Sequence, residues 1–432
     1  MKFISTSGTA DPVGLAAALS AGLAPDGGLY LPESLPRMQP ADFDDADSLA
    51  AIGTRLLAPY FDGDSLADSL AAICTDAFGV DPPLTPLTDP DAWLLELFHG
   101  PTAAFKDYGA RFLAACLARL RCVGDRPLTI VVATSGDTGA AVAAAFHERP
   151  GFRVAILYPE GRVSPRQAHH LGAFGGNVRA FAVAGTFDDC QRLAKQALAD
   201  RELARKVPMT SANSISLGRL LPQMTYHAAA ALRHWRGTGS AADFIVPTGN
   251  LGNALAAIMA CLSGLPIADI ALATNANRTL PEFFAGGDYT PRDAIATLAN
   301  AMDVGAPSNF ARLAALFPDA AALRDAVSAE AVDDDEIRAT LRTCRERHGK
   351  LACPHTATAL RVFERRRERG IAHDTIIVAT AHPAKFESVI EPLIGEPIPL
   401  PPDLAAFLAR PSRHEPLAAD YAAFSRALAD WS

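Results

Sequence analysis

The hydrophobic pattern changes character along the chain. From Val13 to Leu23, and again from Leu49 to Tyr60, apolar residues recur at helical spacing, separated by the polar, proline- and glycine-rich stretch APDGGLYLPESLPRMQPADF. A second proline-rich stretch, Asp81 to Pro90, marks a boundary. Residues 1–80 are therefore expected to form an N-terminal unit and residues 81–432 a core. From Leu128 onward the pattern becomes strand, turn, helix. LTIVVAT (128–134), FRVAILY (152–158), VRAFAVA (178–184), DFIVP (243–247), IALAT (270–274) and DTIIVAT (374–380) are continuous apolar runs with helical segments between most of them. Runs without polar alternation are buried on both faces, which predicts mainly parallel sheets flanked by helices, an α/β fold.

In such sheets ligands sit beyond the carboxyl ends of the strands, so the loops leaving them carry the candidate chemistry. Two are glycine-rich and lead into helical patterns: Ser135-Gly136-Asp137-Thr138-Gly139 and Gly249-Asn250-Leu251-Gly252-Asn253. Backbone amides and a helix N-terminus converging on one loop suit a phosphate or carboxylate. One such loop is ordinary turn chemistry; two in one fold favour ligand binding. Neither is a GxGxxG fingerprint and the chain has no GxxxxGK[ST], which disfavours nicotinamide and nucleoside-triphosphate sites. The third segment, His99 to Tyr108, reads HGPTAAFKDY. Lys106 follows Ala103, Ala104 and Phe105 and begins a helical run whose Phe112, Cys116, Leu117 and Leu120 form an apolar stripe. A helix N-terminus and partial burial both lower a lysine's pKa and make it a better nucleophile. On these grounds alone a catalytic amine and a solvated surface lysine both stay open.

Composition narrows the classes. Of 432 residues 49% are hydrophobic and 20% charged, enough apolar material for a large core and too much for a disordered chain. With 39 Lys and Arg against 48 Asp and Glu the net charge is −9, a field that repels nucleic-acid backbones. Any anionic ligand has to be captured by local groups. Seven cysteines without a CxxC pair read as reduced thiols of a cytoplasmic protein. His169-His170 and Cys353-Pro354-His355 lack metal-ligand spacing, so no metal is expected. The start, MKFISTSGTADPVG, has no apolar leader, and the stretch Ala254–Ala268 is interrupted by Ser263, Gly264 and Pro266, which excludes a membrane span there. The acidic run Asp333–Glu336 is expected to start a helix, and Arg365-Arg366-Arg367 to form a solvated helix face.

Together the three loops resemble one family, the threonine synthases, pyridoxal-phosphate enzymes of the tryptophan-synthase-β-like fold. KFISTSGTADP, GLAPDGGLYLPE, HGPTAAFKDYG, VVATSGDTGAA, YPEGRVSPRQ, GGNVRAFAVAGTFDDCQ, TSANSISLGRLLPQ, VPTGNLGN and ATAHPAKF occur in that order over nearly the whole chain. The resemblance implies two open, mainly parallel sheets flanked by helices (fold type II), a small N-terminal domain, and a smaller subdomain at about 125–205. Lys106 would bond covalently to the cofactor, pyridoxal 5′-phosphate. Gly249, Asn250, Leu251, Gly252 and Asn253 would cradle its phosphate, Thr380 would face its ring nitrogen, and Asp137 would lie on its O3′ side. Ser135, Gly136, Thr138 and Gly139 would face the substrate's carboxylate, and Thr138, Ser214, Arg219 and Asn253 its phosphate. This sequence departs from the family at Ser216, Leu217 and Gly218, at Leu251 where Phe is common, and at Cys353, before Pro354-His355, where an acidic residue is usual. The implied reaction turns O-phospho-L-homoserine and water into L-threonine and phosphate, in a monomer or homodimer with no nucleic-acid or membrane partner. A β-elimination lyase on the same fold is the alternative enzyme, and a non-catalytic anion- or cofactor-binding module the alternative of another class.

Overall fold

The computed structural model describes residues 1–122 and 124–431. Two large sheets carry the molecule. In the first, the strands Ser328–Ala331, Ile267–Thr274, Ala242–Pro247, Thr375–Ala379, Ala92–Glu96 and Leu84–Pro86 lie side by side in that order. All neighbours are parallel except the last pair, where Leu84 opposes Leu95. The second sheet, in the order Glu415–Ala418, Val178–Ala184, Phe152–Pro159, Leu128–Ala133 and Met209–Ser211, is parallel throughout. Its edge strands at 209–211 and 415–418 lie outside the 125–205 span expected from the sequence.

The continuous apolar runs become central strands because both faces are covered; Ile130, Val131, Val132, Phe244, Ile245, Val246, Ile376, Ile377 and Val378 are all fully buried. The N-terminal region adds a two-stranded antiparallel ribbon, Phe3–Ser5 with Tyr30–Pro32, and helices Leu15–Ala21 and Leu49–Phe61, close to the spans their periodicity predicts. Those helices pack into the same apolar cluster as the helices of the sheets. Asp333 caps the helix Asp334–His348 through a reciprocal box with Glu336, as the acidic run suggests. The basic run behaves differently. Arg366 is buried and donates to Asp243 and Asp269 at 2.8 Å each, while Arg367 pairs with Asp89 at 2.9 Å. Ala359, Val362, Phe363 and Arg366 share the inward face of their helix, so charge alone mispredicts that face. Among the described residues no helix is long and apolar enough to cross a membrane.

Candidate active site

Four helices begin at one cavity of about 390 Å³ between the sheets: Lys106–Leu120, Asp137–Phe146, Leu217–Thr238 and Gly252–Leu262. Each brings a residue of its first turn to the lining: Lys106, Asp137, Arg219 and Gly252. Converging N-termini make the cavity receptive to anions in a protein whose net charge is negative.

The HGPTAAFKDY segment is positioned by the strand exit beside it. Phe105 N donates to Thr380 O at 2.8 Å and His382 N to Ala103 O at 3.0 Å, a short antiparallel bridge that fixes Lys106 relative to Thr380. Thr102 donates from both its amide and its hydroxyl to the buried Asp107 carboxylate, at 2.9 and 2.6 Å. A Cβ at Gly100 would meet that carboxylate at 2.5 Å, which accounts for glycine there. Ala103 holds φ +52°, and Leu251 in the other loop φ +65°; these are two of three non-glycine residues in the left-handed region among the described residues. Lys106 Nζ has no hydrogen-bond or ion-pair partner among the described residues. Burial pulls its pKa down to about 8 against the opposing charge of Asp137, with Lys385 and Arg219 adding to the depression.

The Gly249–Asn253 loop is built as a cradle. Among the described residues the amides of Gly249, Asn250, Leu251 and Gly252 donate to no protein acceptor, whereas its side chains and carbonyls are held. Asn309 donates to Asn250 O at 2.9 Å, Ser308 N to Asn250 Oδ1 at 2.5 Å, and Asn250 Nδ2 to Ser214 Oγ at 2.6 Å. A Cβ on Gly249 would lie 2.7 Å from Met302 Cα, so only glycine fits. Asn253 Oδ1 accepts from Tyr226 Oη (2.8 Å) and His227 Nε2 (2.9 Å), leaving its buried Nδ2 unpartnered. Arg219 is also buried; it donates from Nη1 to Ala212 O at 2.6 Å while Nε stays unpartnered, and desolvation lowers its pKa to about 10.

The structure brings Lys106, Ser135, Asp137, Thr138, Ser214, Arg219, Gly249, Asn250, Leu251, Gly252, Asn253 and Thr380 to this one cavity. Gly136 and Gly139 do not line it. Their amides both donate to Thr134 Oγ1 at 2.9 Å, and side chains there would collide with Gln167 and with Ile156 and Leu171. They shape the loop from behind. Gly218, one of the departures, lies where a Cβ would meet Leu113 and Leu19 at 2.7 and 2.8 Å, so the small residue is a helix-packing contact. Several lining residues carried no local signal, among them Asn213, Gln223, Asn300 and Asp303. Asp303 accepts from Asn275 and Thr297 at 2.7 Å each, and burial raises its pKa to about 7. His355 also lines the cavity. Burial lowers its pKa to about 4, so it is neutral, and Nε2 accepts from Ala301 N at 3.1 Å, which leaves the proton on Nδ1 facing Cys353.

Comparison with known proteins decides the family. The pyridoxal-phosphate-dependent enzyme model matches residues 82–381, a threonine synthase N-terminus model residues 2–78, and a threonine synthase C-terminal model residues 356–427. The threonine synthase of Escherichia coli is 37% identical over 99% of both chains, and that of Haemophilus influenzae 39% over 90% of both. The chain belongs to the threonine synthase family. The crystal structure of the Escherichia coli threonine synthase covers the whole of both chains with TM-score 0.92 at 36% identity. A pyridoxal-phosphate-bound threonine synthase from Brucella melitensis superimposes with TM-score 0.90 over 99% of both chains. As a member of this family the chain is a pyridoxal-phosphate-dependent lyase of fold type II. Its own residues fit that cofactor: among the described residues four amides at the cavity lining have no protein acceptor and would suit a phosphate, Lys106 Nζ is unpaired, and the Thr380 hydroxyl has no protein partner.

Proposed function

We propose that the chain converts O-phospho-L-homoserine and water to L-threonine and phosphate, using the cavity at Lys106 with pyridoxal phosphate as its cofactor. The observation that carries this reading is a second anion-receptive corner beside the cofactor cradle. Ser214, Arg219 and Asn253 bring a buried guanidinium and an unpartnered amide to the lining that Gly249–Gly252 already supply with bare amides. A substrate bearing its own phosphate accounts for both; one without phosphate leaves a desolvated guanidinium unused.

When bound, the cofactor supplies an electron sink for charge developing next to the substrate's amino group. The chain's residues do the rest. Gly249, Asn250, Leu251 and Gly252 hold the cofactor phosphate by backbone amides, and Thr380 orients the ring by a neutral hydroxyl. Lys106 Nζ, with a pKa near 8, has about a tenth of its amine neutral at pH 7, enough to take a proton and return it. Ser135 and Thr138 hold the substrate carboxylate. Arg219, Ser214 and Asn253 Nδ2 hold the substrate phosphate as it departs and neutralise its charge. Asp137 stays ionised beside Lys106.

The same reading divides the chain into an N-terminal unit, 1–80, and a catalytic core, 81–432, with a subdomain at about 125–205 that recruits strands 209–211 and 415–418. It places the enzyme in the cytoplasm as a monomer or homodimer; seven free thiols, five of them buried, support a reducing compartment. Incubation with O-phosphohomoserine, assayed for threonine, 2-oxobutyrate and phosphate, tests the activity. Threonine with phosphate is expected; 2-oxobutyrate with phosphate would replace the synthase by an eliminating lyase.

A further inference from the structure

A second lysine lies in the same buried neighbourhood and is bonded quite differently from Lys106. Lys385 sits in the turn Pro383–Phe386 that leaves the first sheet, and only 2% of it is exposed. Its Nζ donates to Asp137 Oδ1 and to Thr102 O, each at 2.7 Å. Asp137 heads a helix of the second sheet, and Gln167 Nε2 also donates to its Oδ1 at 3.0 Å. Thr102 belongs to the segment that carries Lys106 and anchors Asp107. One ammonium therefore ties three segments together: the strand exit at 380–386, the lysine segment, and the Ser135–Asp137 loop across the cleft. Two further bonds link the same turn to the segment 164–166, donated the opposite way: Ser164 Oγ to Lys385 O at 3.0 Å and Arg166 Nη1 to Ala384 O at 2.6 Å.

We infer that Lys385 is a positioning residue, a cation that pins Asp137 across the cleft and so sets how readily the nitrogen of Lys106 gives up its proton. The inference rests on the assignment of Lys106 as the cofactor-bonding residue. The groups that act most strongly on Lys106 are Asp137 from the second sheet, Lys385 from the turn, Arg219 from the helix 217–238, and Cys353 with neutral His355 from the start of the helix 354–368; Asp303, Asp188, Arg292 and Asp293 line the same cavity. Burial opposes the charge on Asp137, yet Lys385 and Lys106 between them hold its carboxyl well below the usual range. The like charge of Lys385 depresses the basicity of Lys106, and Asp137 works the other way. The pair is thus a matched set of opposite charges acting on one nitrogen.

The test uses the cofactor-loaded enzyme and three variants: Lys385→Met, Asp137→Asn, and both together. The readout is the pH midpoint of the visible absorption change at the Lys106 nitrogen, with the pH profile of kcat beside it. Lys385→Met removes a nearby cation and should raise the midpoint; Asp137→Asn removes an anion and should lower it. Each shift should be about one to two pH units for unit charges a few ångströms away in a partly screened site. The double variant should return most of the way to wild type, and Lys385→Arg should stay closer to wild type than Lys385→Met. Far-ultraviolet circular dichroism and melting curves confirm that each variant folds. Midpoints that do not move, or that move in the same direction for both single variants, would overturn the inference while leaving the Lys106 assignment intact. If Lys106→Ala keeps the titrating band, the assignment itself is wrong and the inference falls with it.

Discussion

The two glycine-rich loops at the cavity carry the same local signal, a strand exit leading into a helix N-terminus, yet they are built differently. The Gly249–Asn253 loop is held from outside by neutral hydrogen bonds through Asn250, Ser308 and Asn309, and among the described residues its Gly249–Gly252 amides, at the cavity lining, have no protein acceptor. The Ser135–Gly139 loop has its Gly136 and Gly139 amides consumed by Thr134, and its Asp137 carboxylate tied by Lys385 and Gln167. The first is a seat whose shape does not depend on charge; a cofactor that stays bound suits it. The second is held by an ion pair spanning the cleft, and its polar side chains, Ser135 and Thr138, are what it offers a ligand. That suits a substrate that comes and goes.

The largest effect expected from breaking this arrangement is at the residue between the loops. Lys106→Ala should abolish the absorption band that titrates with the Lys106 nitrogen and lower turnover by a factor on the order of 10³ or more, the scale of a lost nucleophile and proton carrier. The Gly249–Gly252 amides should still retain cofactor, detectable as released pyridoxal phosphate after denaturation. Full turnover in that variant would end the proposal. Arg219→Ala comes next. Removing the charged partner of an anion in a desolvated site costs about 2–5 kcal/mol, seen as weaker binding of a phosphonate analogue of the substrate. The cofactor band should persist, with its pH midpoint raised because the Arg219 charge no longer depresses Lys106, and unaltered analogue affinity would mean that the phosphate is held elsewhere.

A matched pair of glycine substitutions sharpens the comparison directly. Gly249→Ala drives a Cβ to 2.7 Å from the Met302 backbone, and overpacking of this kind costs about 1–3 kcal/mol. The loss should fall on cofactor affinity, measured by equilibrium dialysis. Gly136→Ala meets the Gln167 amide at 2.7 Å at a backbone φ of +130°. It should raise KM for the substrate and leave cofactor affinity within about twofold. The opposite allocation would show that the two loops exchange roles.

Much of this was legible because it is local. The six apolar runs gave strands within a few residues of their observed ends, since full burial on both faces writes itself as uninterrupted Val, Ile, Leu and Ala. The strand Ala92–Glu96 carries little signal in the sequence although it pairs with Thr375–Ala379 inside its sheet. It is short, follows a proline-rich stretch, and ends in a buried glutamate that bonds His99, Thr85 and Lys350. At the site, the glycine loops and Lys106 announce themselves by turn chemistry and by an apolar approach to a helix. Lys385 carries the same kind of signal, flanked by Pro383, Ala384 and Phe386 just after a strand. Asp303 and the tautomer of His355 had no local signal at all. Their partners, Asn275, Thr297 and Ala301, lie between 6 and 54 residues away and meet only in the fold.

The smallest expected effect probes the neutral hydroxyl at the strand exit. Thr380 stands at the exit of the strand Thr375–Ala379, 6% exposed, with its carbonyl held by Phe105 N and its hydroxyl unpartnered. A hydroxyl can hydrogen-bond the cofactor's ring nitrogen but brings no negative charge, so the nitrogen should remain largely unprotonated at neutral pH. Thr380→Asp would replace that neutral hydroxyl by a carboxylate. Coulomb attraction then favours the protonated ring and strengthens the electron sink. The same carboxylate, close to Lys106, would add to the pull of Asp137 and raise the Lys106 pKa above its present value near 8. Both changes act on where protons reside more than on binding, so the variant should alter the ratio of threonine to 2-oxobutyrate while KM stays within about threefold. Nitrogen-15 NMR of labelled cofactor reads the ring directly. A protonated nitrogen in the wild-type enzyme at neutral pH would remove the role assigned to Thr380.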